Sequence, residues 1–194
     1  MSTPNNKPQN PDAVPDPADI VNLRLLESHV HYLSGEIENE NIRDAIKWIL
    51  FENLQPKKPP HLTLYVNTVG GLLYQAIALI DVMRNSKIPV RTIGLGSVCS
   101  AGFLIFSSGA RGHRIIYKNT EIMCHQYSDA IEGKHHDLKS TFKELELSSD
   151  RMIRILSENT GLDARTVKRK LLPESDVWMT AEELVEYGVA DKVG

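Results

Sequence analysis

The chain has 194 residues, 22 Lys plus Arg against 25 Asp plus Glu, and a formal net charge of −3; 41% of it is hydrophobic and 24% charged, enough to bury a real core. This balance lacks the basic footprint of a nucleic-acid or anionic-membrane binder, and no apolar run nears the ~20 residues of a membrane span. Two cysteines, Cys99 and Cys124, cannot build a disulfide framework, so a reducing, cytoplasmic setting without nucleic-acid or membrane partners is expected.

Five of the 10 prolines lie in the first 17 residues, MSTPNNKPQNPDAVPDP. Ordering so apolar-poor a stretch costs entropy and buries nothing. Residues 1–19 are therefore predicted to be a flexible tail or removable leader, and residues 20–194 the folded domain. His29 to Leu33 alternates as a strand does, and Ile42, Ala45, Ile46, Ile49 and Leu50 repeat at helical spacing before Pro56 breaks the chain. Leu62 to Val66 reads as a buried strand running into Gly70-Gly71, followed by a helix with Leu73, Ala76, Ile77, Ile80 and Met83 on one face. Val90 to Leu95 is the next strand, then come a small-residue turn and an apolar stretch through Phe106. Arg114 to Tyr117 and Ile122 to Cys124 are two short strands.

Asp137 to Ser157 has the pattern of a long amphipathic helix that Gly161 can end. Thr180-Ala181-Glu182-Glu183 is a capping box, with Met179 and Leu184 placed as a staple and Gly188 just past the helix. Strand–helix–strand order without internal repeats predicts an α/β fold with a largely parallel sheet.

Seven of the 12 glycines lie between Gly70 and Gly112, where tight turns or close backbone approach are expected. Among them, Gly96 to Gly102 joins a strand to an apolar helix and carries Ser100. A serine there can present its hydroxyl where helix N-terminal N–H groups stabilise an oxyanion, or it can simply cap a close-packed helix. The G-x-S-x-G elbow spacing fails, since position 98 is Val. His125 at a strand end is a candidate base or a structural histidine, and Asp176 a candidate acid or a solvated turn residue. His135-His136, being adjacent on a helix, do not face one metal site, and no metal is expected.

Together these segments resemble the Clp protease proteolytic subunit family, serine peptidases that work with ring-shaped ATP-driven unfoldases. LLESHVHYLSGEI is similar to that family's first strand, and LTLYVNTVGG to its Y-x-N-S-P-G-G segment. GSVCSAGF resembles its G-x-x-x-S-M-G-A/S nucleophile segment, and IMCHQY its M-x-H-Q-P segment. DVWMTAEELVEYGVADKV is similar to its D-x-F-x-x-A-E-A-x-x-Y-G-L-I/V-D ending. The order Ser, His, Asp and the 25-residue step from Ser100 to His125 agree as well.

The resemblance implies that Ser100 is the nucleophile, His125 the general base and Asp176 the acid orienting it, with backbone N–H groups of Gly70 and Ala101 as oxyanion hole. It implies a spiral of β-β-α units, shared with crotonase, and a protruding strand-and-helix handle at Gln126 to about Leu147. It also implies two stacked seven-membered rings of this chain, forming a barrel that an AAA+ unfoldase feeds with unfolded polypeptide. No cofactor is expected in this chain; ATP belongs to the unfoldase. Thr68-Val69 replaces the family's Ser-Pro, Ala101 its Met, and Tyr127 its proline. Ser175 stands where an arginine commonly pairs across the ring interface. In extended backbone Cys99 and Cys124 would point away from the site, as small core residues. Rival readings are a peptidase acting without an unfoldase, a non-catalytic ring subunit, and an acyl-CoA enzyme of the crotonase type.

Overall fold

The computed structural model describes residues 16–128 and 134–194. Most of the predicted tail falls on residues 1–15, outside the described residues. The first helix, α1 (Pro17–Glu27), begins inside the stretch assigned to the tail. Asp16 and Pro17 form a helix start: the Asp16 carboxylate accepts the Ala18 N–H at 2.9 Å, and a proline in the first turn gives up only an N–H that would go unpaired.

The chain continues through β1 (Val30–Ser34), α2 (Asn39–Leu54), β2 (Leu62–Thr68), α3 (Leu73–Arg84), β3 (Val90–Cys99) and α4 (Ala101–Ser107). Then follow β4 (Arg114–Ile116), β5 (Glu121–Cys124), α5 (His135–Thr160), α6 (Ala164–Lys170), β6 (Val177–Trp178), α7 (Ala181–Glu186) and β7 (Lys192–Val193). Among the described residues the strands form one sheet, in the order β1-β2-β3-β4-β7, and every pair along that path is parallel. β5 joins β3 in parallel, and β6 closes antiparallel on β5. Parallel strands need crossover connections, which here are the helices. This is the mixed α/β fold with a largely parallel sheet that the strand–helix alternation predicts.

β3 runs longer than expected. β2 stays beside it as far as Val98, while on the other edge β4 pairs with its first half and β5 with its second, Cys99 lying opposite Met123. The small-residue stretch from Gly96, expected to be a turn, continues the strand to Cys99, and β5 replaces β4 as neighbour between Gly94 and Ser97. The polar helix α6 and the two-residue β7 have no periodicity to reveal them; α6 buries only Val167. α5 outruns its predicted ends and stops at Gly161, whose φ is 81°. Of the predicted handle, Gln126 to Ser128 has no regular secondary structure, residues 129–133 lie outside the described residues, and α5 supplies the helix.

α2 packs on α3, α3 on α4, α4 on α5 and α5 on α6. α4 is buried along its whole length, with Phe103 to Phe106 fully enclosed in the core. The capping box of α7 forms as predicted: Glu183 N–H donates to Thr180 Oγ1 at 3.2 Å, and Thr180 N–H donates to the Glu183 carboxylate at 2.8 Å. Among the described residues no helix is long and apolar enough to cross a membrane.

One buried cation ties the ends of these elements together. The Arg114 guanidinium on β4 donates to both Asp191 oxygens, at 3.0 and 2.7 Å, and to the carbonyls of Ser107 and Asn159 at the ends of α4 and α5. Burial works to raise the Asp191 pKa, but the hydrogen bonds and charge of Arg114 outweigh it and hold the carboxyl below the usual range. Replacing Asp191 with Asn leaves a buried guanidinium uncompensated and is expected to cost about 3 kcal/mol in chemical denaturation. Because the folded-state pKa is depressed, the pair's stabilisation is fully present above the unfolded value of about 4 and is lost as pH falls through the folded value. The Asp191→Asn protein should lack this acid limb.

Candidate active site

Three chain segments converge at the carboxyl ends of β2, β3 and β5. β3 ends at Cys99, and the Ser100 N–H donates to Met123 O on β5 at 2.9 Å, which extends the pairing by one residue. Ser100 then turns the chain into α4 at φ 54° and ψ −122°, a conformation few non-glycine residues adopt. Such strain costs of order 1–3 kcal/mol and persists only where packing enforces it, here the fully buried α4. The turn lifts the Ser100 side chain out of the core to half-exposure.

β5 delivers His125 at its end. Its Nε2 lies 2.7 Å from Ser100 Oγ, within hydrogen-bonding distance. In the tautomer that carries its proton on Nδ1, the serine hydroxyl donates and Nε2 accepts, the geometry a general base requires. The predicted pair of Ser100 and His125 is thus assembled.

Asp176 is placed differently. β6 pairs Val177 with Cys124 and Trp178 with Met123, so one further step of this antiparallel ladder sets Asp176 opposite His125. Among the described residues, however, neither Asp176 nor any other carboxylate hydrogen-bonds to His125, and the Asp176 side chain is exposed.

The glycine doublet also divides its work otherwise than expected. Gly70, at φ 107°, packs so closely on the serine that a Cβ there would lie 2.6 Å from Ser100 Cβ. Its N–H, predicted to face an oxyanion, donates instead to Thr68 Oγ1 at 3.1 Å. Gly71, the next residue, lines the pocket beside Ser100, and among the described residues its N–H has no acceptor. Ala101 lines the same pocket; at the first position of α4 its N–H has no partner within the helix. The doublet in sequence gives no means of telling one amide from the other. The conformation of Thr68, where the family has serine, decides it.

The pocket at Ser100 and His125 encloses about 230 Å³, with Leu73, Tyr127 and Met152 as its apolar wall. Cys99 and Cys124, next to Ser100 and His125 in sequence, are both buried, as the alternation of strand side chains predicts. Burial pushes the Cys124 thiol up to about 12 and raises Cys99 as well, so neither is a thiolate near neutral pH. Among the described residues no cluster of His, Cys, Asp and Glu could hold a metal ion; the side chains of His135 and His136 lie outside them.

The family model described as Clp protease matches residues 16–194. The chain belongs to the Clp protease family. This makes it a peptidase by membership, and the site just described holds a hydroxyl and an imidazole within hydrogen-bonding distance. Within this Clp protease, Gly102 sets how near α4 comes to β2: a Cβ there would collide with Thr68 Cγ2. Gly102→Ala is therefore expected to cost about 1–3 kcal/mol by thermal or chemical denaturation. Adding Thr68→Ser, which removes Cγ2 but keeps the acceptor for Gly70, should recover most of it.

Proposed function

We propose that this protein is a serine endopeptidase that cuts unfolded polypeptides into short peptides. The observation that carries this reading is the 2.7 Å approach of His125 Nε2 to the strained, pocket-facing Ser100 Oγ. A neutral hydroxyl is a poor nucleophile until an adjacent imidazole takes its proton. In the proposed reaction His125 accepts the Ser100 proton as Oγ attacks the scissile carbonyl, and the carbonyl oxygen becomes an oxyanion. The N–H groups of Gly71 and Ala101 stabilise it, while Gly70 supplies the clearance that lets the backbone lie against the serine. His125 then returns the proton to the leaving amine, and water repeats the sequence on the acyl-enzyme.

Asp176 is the proposed orienting acid. Residues directly opposite in an antiparallel ladder share a face, so its position one step from the Val177–Cys124 pair supports this role. Membership of the Clp protease family supports assembly into two stacked seven-membered rings with the sites facing an internal chamber. It likewise supports feeding by an AAA+ unfoldase that spends the ATP, in the cytoplasm. The chamber would keep folded proteins from an otherwise unselective site.

Ser100→Ala is expected to abolish labelling by a fluorophosphonate probe without changing the assembly seen by electron microscopy; undiminished labelling would overturn the nucleophile assignment. Asp176→Asn should leave Ser100 in place but lower kcat on a peptide substrate by about 10²-fold or more, with KM little changed. An unchanged kcat would remove Asp176 from the site.

A further inference from the structure

A second pocket adjoins the one at Ser100 and His125, and Gln126 borders both. It encloses about 480 Å³ and is bordered by α5, α6 and the segment leading to β6. The Gln126 Nε2–H donates to Leu172 O at 3.0 Å, so its side chain is a wall the two share.

The second pocket is basic. Arg165, Lys168 and Arg169 line it, against Glu174 as the one acid among its lining residues. All three cations are exposed, and among the described residues none has an ion-pair partner. Asp163, the nearest acid in sequence, is already engaged: its carboxylate accepts from the backbone N–H groups of Arg165 and Thr166 and from Thr166 Oγ1. Lys170 leaves the cluster and lies over the Tyr187 ring at 5.9 Å.

Helix stability accounts for only part of this charge. Lys168 and Arg169 are in the last turn of α6, where the helix dipole favours cations. Arg165 is in the first turn, where the dipole disfavours one. On a chain of net charge −3, a concave surface with three unpaired cations beside the catalytic groove attracts anions against the overall field.

We propose that this pocket is a carboxylate subsite of the peptide groove, taking an Asp or Glu side chain or the terminal carboxylate of a bound chain. The inference rests on the peptidase reading of the adjoining site. In use, the peptide passes Ser100 and His125 and lays its anionic group beyond Gln126 against Arg165, Lys168 and Arg169. The subsite thereby selects which bond of an unfolded chain comes to the serine.

Equilibrium binding to the full-length Ser100→Ala protein tests this without requiring turnover. The probes are short dansyl-labelled Ala/Leu peptides carrying one Glu or one Gln, moved through the positions of the peptide, each with a free or amidated C-terminus. At low salt, at least one Glu peptide should bind about tenfold tighter than its Gln counterpart, an advantage that salt removes. If the terminal carboxylate is the ligand, the advantage follows the free C-terminus instead. In the Lys168→Glu/Arg169→Glu background the advantage should vanish or reverse while the amidated Gln peptides bind as before. Equal binding of all peptides, or an advantage that survives charge reversal, overturns the subsite. Equal binding together with a charge reversal that changes the sedimentation of the assembly also overturns it, and gives the cations to a contact between copies. Failure of the peptidase reading shows separately, as absence of fluorophosphonate labelling at Ser100 in the unmodified protein.

Discussion

The site depends on how closely the end of β2 can approach the junction of β3 and α4. Gly102 has no Cβ, and Thr68 Cγ2 occupies the space one would need. Gly70 has none either, which lets the β2 extension lie against Ser100. With side chains at both positions the two segments would stand apart, and the amides of Gly71 and Ala101 would not share a pocket with the serine. The fully buried α4 fixes the other side of the junction, so the positive φ of Ser100 is held by the core. A rigid hydroxyl on a strained turn is preorganised, because the entropy of placing it is spent on folding.

Electrostatics divides the molecule into a quiet interior and a polar rim. The thiols beside Ser100 and His125 are buried with raised pKa values, so no thiolate stands next to the serine hydroxyl near neutral pH. Arg114 and Asp191 spend their charges on each other and on the carbonyls that end α4 and α5, which anchors the scaffold behind the site. Arg165, Lys168 and Arg169 of α6 lie at the rim, beside the pocket next to Ser100 and His125, and among the described residues have no ion-pair partner. Gln126 joins these regions: it follows the base in sequence and bonds to the carbonyl of Leu172, in the segment that leads on to Asp176.

Much of this was legible in the residues, for reasons that are local. The apolar spacing of α2 and α3, the buried run of β2 and the capping box of α7 are periodic or short-range signals, and they stand where predicted. His125 is legible because it ends a strand recognisable by itself, and Ser100 because it stands in a small-residue stretch between a strand and an apolar helix. Composition hides the cap at Asp16-Pro17. The second half of β3 leaves no local signal because its partner, β5, comes more than 20 residues later in the chain. α6 leaves none because a polar helix with a single buried residue has no periodic stripe.

By itself the sequence determined the α/β class, the family motifs and the identity of the hydroxyl and the imidazole, since these follow from residue type and near-neighbour spacing. Only the tertiary structure decided which amide of the Gly70-Gly71 doublet is already engaged, because that turns on where the Thr68 hydroxyl lies. It also decided that the β5–β6 register carries Asp176 toward His125 without a hydrogen bond between them, since register sets position and a side-chain torsion sets the bond. Last, it placed the cations of α6 beside the catalytic groove. Charge is written in the sequence, but the field at a point depends on which surfaces the fold brings together.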